Sequence, residues 1–211
     1  MPETLNSLLS DGGHFGQILI RKSGKGFVLC HRDDESKDDS KIFRRADDAI
    51  EIARYDDAGN YRPLKTAPNL RHGWRLEVVD LNELRCALDY FYPGRLAVLD
   101  AWKKKRLTTT PLRDTLDRQS GMYRVAAKIS DEQIDAVVEN VCRSDGGCLR
   151  AILWKRDKTG AVPSTRLTPE KFNPAHDQTG GGEPTVPLLC QEICSLLLNE
   201  CRKAVNGETD E

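Results

Sequence analysis

The sequence predicts an α+β fold, in which an N-terminal hairpin and helices support a C-terminal, helix-rich domain that carries four cysteines. Three observations lead to this prediction. Residues 16–32 contain two β-rich runs joined by Ser23-Gly24-Lys25-Gly26, whose glycines permit a hairpin turn. Residues 81–102 have apolar side chains at helical spacing. Two close pairs of cysteines lie in the C-terminal half: Cys142, Cys148, Cys190 and Cys194.

Composition and charge are those of an ordinary globular protein. Of the 211 residues, 38% are hydrophobic and 31% are charged, with 32 basic and 33 acidic side chains. Because this balance gives no strong basic field, nucleic acid is not expected as a partner. The first residues lack the basic start and apolar run of a signal peptide, and no run approaches the ~18 apolar residues of a membrane span. We therefore expect a cytoplasmic protein without a membrane partner.

The N-terminal half alternates between predicted strands and helices. The charged stretch 33–41 lacks apolar periodicity and is expected to form a solvated loop. Residues 42–55 have helical spacing, and the Asp, Gly and Asn residues in 56–60 indicate a turn. After a connection marked by prolines, the alternation in 74–79 predicts a strand.

Two helices are predicted to follow this strand. Asp80 can cap the first helix, and Glu83, three residues later, completes the pattern of a capping box. Pro93 ends that helix, and the apolar spacing up to Trp102 predicts a second one, which runs into the basic patch 103–106. Positive charge at this point complements the helix dipole, so the patch is interpreted as a solvated helix end.

The C-terminal half is predicted to form a separate domain, with a stabilising α+β domain at 1–115 and a four-cysteine domain at 116–211. Its predicted elements follow in chain order: a strand at 122–129, a helix from Ser130 to Cys142, an extended segment at 149–154, a flexible loop at 157–184 and a helix at 188–204. On that last helix, Cys190 and Cys194 would lie one turn apart on the same face.

The spacing of the cysteines indicates a metal site. In a reducing compartment, clustered cysteines bind metals more often than they form disulfides. The glycines between Cys142 and Cys148 allow both thiolates to reach a common point, and the pair Cys190 and Cys194 completes a set of four. Zinc sites usually have shorter spacings than that of the first pair. Spacing alone leaves three readings open: an iron–sulfur cluster, zinc, or cysteines that are simply buried.

The remaining cysteines and the histidines give weaker signals. Cys201 lies on nearly the same predicted helical face as Cys194, and it is the first substitute if one of the four ligands fails. Cys30 and Cys86 are expected to have core roles, in a strand and a helix respectively. The four histidines have no paired metal-ligand spacing and are interpreted as surface or structural residues.

Several segments resemble a known family. GGCLRAILW at 146–154 and LCQEICSLLL at 189–198 resemble the iron–sulfur region appended to sirohydrochlorin cobaltochelatases of the CbiX type. RQSGMYRV at 118–125 and YRPLKTAPNLRHGW at 61–74 are similar to the middle, stabilising region of those proteins. The resemblance implies a 4Fe-4S cluster on Cys142, Cys148, Cys190 and Cys194. These proteins also carry an N-terminal chelatase module, for which this sequence has no room, so chelatase activity is not expected.

These observations together predict a cluster-binding protein that acts in electron transfer or redox sensing. A role as an accessory to tetrapyrrole or cobalamin metabolism is expected, with a redox protein or a pathway enzyme as partner. The cluster gives no direct sign of substrate turnover, so an enzyme is not the first choice. The alternative is a zinc-stabilised interaction module, in which the metal only joins the helices and the basic patch 103–106 recruits a partner.

Overall fold

The chain forms two units, which are described separately. A computed structural model describes residues 13–37, 39–54, 70–143, 148, 150–157, 185–186 and 188–208. The N-terminal unit comprises residues 1–105 and 168–188, and the C-terminal unit comprises residues 106–167 and 189–211. The first unit combines a sheet with helices and the second consists mainly of helices, which confirms the predicted α+β class. The predicted domain boundary after residue 115 stays a prediction.

A mixed sheet of six strands forms the N-terminal unit. Its strands are β1 (Gly13–Phe15), β2 (Ile18–Ser23), β3 (Gly26–His31), β4 (Lys41–Phe43), β5 (Trp74–Val78) and β7 (Thr185–Val186). Their order in the sheet is β4-β5-β3-β2-β1-β7. The pairs β4–β5 and β1–β7 are parallel, whereas the pairs between them are antiparallel.

The predicted hairpin is confirmed as β2 and β3. Ser23 pairs with Gly26 across the turn, and Ile18 pairs with His31 at the open end. Hydrophobic residues of these strands are buried in the core of the unit. The hydroxyl of Tyr92 accepts a hydrogen bond at 3.1 Å from the backbone N–H of Gln17, which directly precedes β2.

Two predictions in the segment 33–55 are wrong in part. The predicted solvated loop contains a 3₁₀ turn, Arg32–Asp34, in which the side chain of Asp34 is fully buried. Burial is tolerated because this carboxylate accepts the N–H of Gly73 and pairs with Lys37. The predicted helix begins only at α1 (Asp48–Arg54), because the preceding residues form β4 and pair with β5.

The two helices after β5 are confirmed. They are α2 (Leu81–Phe91) and α3 (Arg95–Lys103). Asp80 caps α2 by accepting the N–H groups of Asn82 and Glu83 at 2.8 and 2.9 Å. The Glu83 carboxylate reaches back to the N–H of Val79 rather than to that of the capping residue.

The C-terminal unit consists of short helices around one apolar core. Its elements are α4 (Leu112–Asp117), a 3₁₀ helix (Gly121–Lys128), α5 (Asp131–Val138), a π-helical turn (Glu139–Arg143), β6 (Ala151–Ile152), β8 (Leu189–Cys190) and α6 (Ser195–Asn206). α6 packs against both the 3₁₀ helix and α5. Ser130 caps α5 as predicted, and Gln133 completes a capping box.

The predicted strand at 122–129 is wrong. The segment forms the 3₁₀ helix Gly121–Lys128, in which buried Ala126 is followed by buried Ile129 three residues later. This spacing matches the three residues per turn of a 3₁₀ helix, whereas a strand would bury every second residue. Packing against α6 therefore overrides the β propensity of the segment.

The predicted helix at 188–204 is wrong over its first seven residues. Leu189 and Cys190 form β8, which pairs in parallel with β6, and α6 begins only at Ser195. Next to this pairing, the carbonyl of Cys190 accepts a hydrogen bond from the backbone N–H of Leu153 at 2.9 Å. That carbonyl is therefore not available to a helical hydrogen bond.

Other predicted segments lie outside the described residues. They include the turn at 56–60, the glycine turn at 144–147 and most of the loop at 157–184. In the described part of the chain, none of the helices combines the length and the apolar character needed to cross a lipid bilayer.

Gly26 gives a direct test of the pairing between β3 and β5. A Cβ atom at this position would lie 2.2 Å from the carbonyl oxygen of Val78. We expect Gly26→Ala to lower the free energy of unfolding by about 3 kcal/mol, as measured by urea denaturation, because backbone must shift. Gly24→Ala is the matched control. A Cβ atom at position 24 would meet no atom within 4 Å. This variant should lower the free energy of unfolding by only about 1 kcal/mol, the cost of a left-handed backbone conformation for alanine. Equal losses for the two variants would contradict the described pairing.

Candidate metal centre

The backbone brings the first cysteine pair together at the end of α5. Cys142 lies in the π-helical turn, which continues α5 directly. The backbone N–H of Cys148 donates to the carbonyl of Val141 at 3.3 Å, so the chain folds back onto this turn. π turns within helices are rare and are found frequently at functional sites.

Strand pairing fixes the position of Cys190. Cys190 lies opposite Ile152 in the parallel pair of β8 and β6. Its side chain is buried, with 8% of the residue exposed. Ile152 and Cys190 both belong to the apolar core, so the sulfur of Cys190 lies inside the C-terminal unit rather than at its surface.

Cys194 lies at the N-terminal end of α6. It is the N-cap residue, with an extended backbone, and its carbonyl accepts the N–H of Leu198 at 3.1 Å. The prediction that Cys190 and Cys194 lie one turn apart on a helix is therefore wrong. Position at the N-cap instead places Cys194 at the positive end of the helix dipole, where a thiolate is stabilised.

The four predicted ligands share one region of the C-terminal unit. Cys142 and Cys190 belong to the same buried apolar core, and half-buried Cys194 packs against it. Cys148 and Cys194 lie close enough to Cys190 that their ionised thiolates would raise the pKa of its thiol. Residues that are up to 52 positions apart in sequence, from Cys142 to Cys194, are thus brought together by the fold.

Trp154 and Arg150, which the sequence analysis did not identify, act to lower the pKa of the Cys190 thiol. Burial raises the pKa of the Cys190 thiol, and the hydrogen bond from Trp154 and the charge of Arg150 oppose this effect. The indole N–H of Trp154 donates to the sulfur at 3.3 Å, and Arg150 is itself buried. Metal ligation requires the thiolate, which both groups stabilise. No local signal could reveal Trp154, because it lies 36 residues from Cys190.

The other three cysteines differ from one another in burial. Cys201 is buried in the same core, and burial raises the pKa of its thiol to about 12. Cys30 is half-buried in β3. Cys86 is exposed, so its predicted core role is wrong: α2 turns Leu84 and Leu88 inward and Cys86 outward. All seven cysteines lie among the described residues, and none forms a disulfide.

The arrangement of sulfurs fits a cluster better than a single ion. A tetrahedral zinc site with Zn–S bonds of about 2.3 Å places its sulfurs about 3.8 Å apart. Among the described cysteines, no three sulfurs lie within 4.8 Å of one another. Each thiolate on a 4Fe-4S cluster binds a different iron, so its sulfurs are spread farther apart. The wider spacing of these four sulfurs is therefore compatible with the cluster.

Comparison with family models identifies the cofactor. Residues 104–203 match the model of a 4Fe-4S iron-sulfur cluster binding domain. The cofactor of this chain is a 4Fe-4S cluster. The match includes all four cysteines predicted as ligands, and it also includes Cys201. Residues 3–106 match the model of the DR2241 stabilising domain.

One solved structure is similar over almost the whole chain. It is DR2241 from Deinococcus radiodurans, described as a multi-domain protein with structural similarity to chelatases and with two additional novel domains. The sequences are 29% identical, the TM-score is 0.75, and the match covers 97% of this chain. The chain spans only 41% of the length of DR2241. No match was found among curated proteins.

If Cys190 is a ligand of the cluster, the hydrogen bond from Trp154 to its sulfur predicts an effect on the reduction potential. Donation to a ligand sulfur stabilises the more negative, reduced state. We expect Trp154→Phe to shift the midpoint potential to a more negative value, measured by redox titration followed by electron paramagnetic resonance. The variant keeps an aromatic ring in the core and removes only the N–H donor.

Trp74→Phe is the matched control for this prediction. Trp74 is also buried, and its indole N–H donates to the carbonyl of Arg71 in the N-terminal unit. We expect this variant to keep the wild-type potential. If both variants have the wild-type potential while their iron content is unchanged, the hydrogen bond to Cys190 does not act on the cluster.

Proposed function

We propose that Cys142, Cys148, Cys190 and Cys194 hold the 4Fe-4S cluster and that the cluster transfers or senses single electrons. The observation that carries this proposal is that all four cysteines lie in the C-terminal unit, within the segment that matches a cluster-binding domain. When bound, such a cluster supplies reversible one-electron oxidation and reduction. The protein supplies the thiolates, the groups that stabilise them and a largely apolar surrounding.

The donor set favours electron transfer over substrate chemistry. Four thiolates, one for each iron, leave none of the irons with an open position for a substrate. The surrounding side chains are mainly aliphatic and aromatic, including Ile152, Trp154, Ile193 and Leu197. An apolar environment shields the cluster from water and affects its potential. We therefore propose a non-catalytic, accessory role.

The pathway proposal rests on two similarities. The segments at 118–125 and 189–198 resemble cobaltochelatases of the CbiX type, and DR2241 is described as having structural similarity to chelatases. We propose that this chain serves tetrapyrrole or cobalamin metabolism, with a redox protein or a pathway enzyme as its partner. The proposed location is the cytoplasm, where reducing conditions keep the thiols available to iron.

Substitution of single cysteines tests the ligand set. After anaerobic purification, we expect about four irons and four sulfides per chain in the wild-type protein. Replacement of Cys142, Cys148, Cys190 or Cys194 by serine should lower both contents strongly, because each change removes one thiolate. Full iron content in any of these four variants would remove that cysteine from the ligand set.

Cys201→Ser is the matched control in this series. Cys201 lies in the same core as Cys190, and burial raises the pKa of its thiol to about 12, which disfavours the thiolate. We expect the variant to keep its iron and sulfide. Loss of iron from Cys201→Ser together with full retention in Cys148→Ser would show that Cys201 replaces Cys148 as a ligand.

Reduction by dithionite tests the redox role. We expect the visible absorption of the cluster to bleach and the signal of a reduced 4Fe-4S cluster to appear in electron paramagnetic resonance. Reoxidation in the absence of oxygen should restore the original spectrum. A cluster that is present in full amount but cannot be reduced, or that decays on reduction, would contradict electron transfer and redox sensing.

A further inference from the structure

A second group of metal-ligating side chains lies in the N-terminal unit. His31 ends β3, Asp33 follows in the 3₁₀ turn, and His72 precedes β5. Cys30 pairs with Arg75 between β3 and β5, so the residues beyond this pair meet at the same end of the two strands. The rings of His31 and His72 have centroids 4.0 Å apart. One donor atom from each of the three side chains lies within 4.8 Å of the other two.

The donor atoms of His31 and Asp33 are spaced almost as two ligands of one ion. Nδ1 of His31 lies 3.6 Å from Oδ2 of Asp33. Donors bonded at roughly 2.0–2.2 Å to a tetrahedral ion stand about 3.4 Å apart. Nδ1 already presents a lone pair, because it accepts the backbone N–H of Asp33 at 3.2 Å. This distance is at the long end of hydrogen-bond geometry, so an ion competes with a weak contact.

His31 is buried in a form that suits metal binding. Only 1% of the residue is exposed, and burial, together with the charge of His72, lowers the pKa of its imidazole. The ring is therefore neutral at pH 7, which is the form that ligates metals. Within the described part of the chain, its Nε2 is buried and has no hydrogen-bond partner. Because Nδ1 accepts the N–H of Asp33, the proton of the neutral ring lies on Nε2, so Nδ1 is the nitrogen that can bind an ion.

A buried carboxylate holds the second imidazole in place. Oδ1 of Asp34 lies 2.9 Å from Nδ1 of His72, and its Oδ2 accepts the N–H of Gly73 at 2.6 Å. Burial acts to raise the pKa of Asp34, but hydrogen bonds from Lys37, Gly73 and His72 bring it down to about 2. The carboxylate is thus ionised at pH 7. A carboxylate on one nitrogen of a histidine commonly orients metal-binding imidazoles.

The cationic side chains of Arg32 and Lys37 do not prevent an ion from reaching His31, Asp33 and His72. Nε of Arg32 lies 3.6 Å from Oδ1 of Asp33, and Nζ of Lys37 lies 2.7 Å from Oδ1 of Asp34. The Arg32 and Lys37 side chains are 46% and 55% exposed. Both side chains of the Arg32–Asp33 pair are exposed, and such a pair contributes only about 0–1 kcal/mol. A divalent ion held by three donors can therefore displace Arg32 from Asp33.

We propose that His31, Asp33 and His72 bind a divalent transition-metal ion of the zinc type. Two imidazoles and one carboxylate suit such ions, whereas calcium and magnesium prefer sites built from oxygen alone. Three protein ligands leave a fourth position for water or another molecule. His72 and Asp33 are partly exposed, which gives the ion a route to the site. The proposal uses none of the cysteines and does not depend on the cluster.

Calorimetric titration of the anaerobically purified, cluster-loaded protein with zinc tests this site. We expect saturable binding, and Asp33→Asn should weaken the affinity at least tenfold because it removes the anionic ligand. Asp39→Asn, which removes an exposed carboxylate in the same segment, should leave the affinity unchanged. His72→Gln provides a second variant with the same expected loss. The Asp33 side chain is 63% exposed, so Asp33→Asn should keep the wild-type melting temperature.

X-ray absorption at the zinc edge identifies the ligands. We expect a shell of nitrogen and oxygen without sulfur, and magnesium at the same concentration should give no saturable heat. Sulfur in the zinc shell would show binding at cysteines and would overturn the proposal. Absence of zinc binding, or equal affinities in wild type, Asp33→Asn and His72→Gln, would overturn it as well. None of these outcomes bears on the iron content of the C-terminal unit.

Discussion

The parallel pairing of β6 with β8 is the constraint on which the candidate cluster site depends. Each strand has only two residues, yet their pairing joins segments that lie far apart in the sequence. The backbone N–H of Leu153 bonds to the carbonyl of Cys190, so residue 190 cannot join the helix that follows. The same pairing places the sulfur of Cys190 beside Trp154 and within the electrostatic influence of Arg150.

The environment of Cys190 balances two opposing requirements. Burial protects a cluster from water, but it also disfavours the thiolate that iron requires. The indole of Trp154 and the charge of Arg150 act against that cost, and the positive end of α6 does the same at Cys194. The Cys190 thiol also donates to the carbonyl of Glu192 at 3.1 Å, a contact that ligation must break.

Local patterns in the sequence were sufficient for elements stabilised by their own residues. The hairpin turn at 23–26 and the cap at Asp80 depend on neighbours in the chain, and both were predicted correctly. The start of α6 was predicted wrongly, because Cys190 pairs with a strand that lies far away in the sequence. The contact between His31 and His72 was not predicted for the same reason, because the pairing of β3 with β5 brings the two rings together. Spacing thus indicates ligand types, whereas pairing between distant segments decides which of them meet.

We propose that two distant pairs of cysteine sulfurs bind one iron–sulfur cluster. A crystal structure of the anaerobically purified protein, with diffraction recorded at the iron absorption edge, tests it most directly. We expect four iron positions in one compact group, each bonded to one sulfur from Cys142, Cys148, Cys190 and Cys194. A single metal ion in this region, or sulfurs of these four residues directed to separate places with iron bound elsewhere, would contradict it.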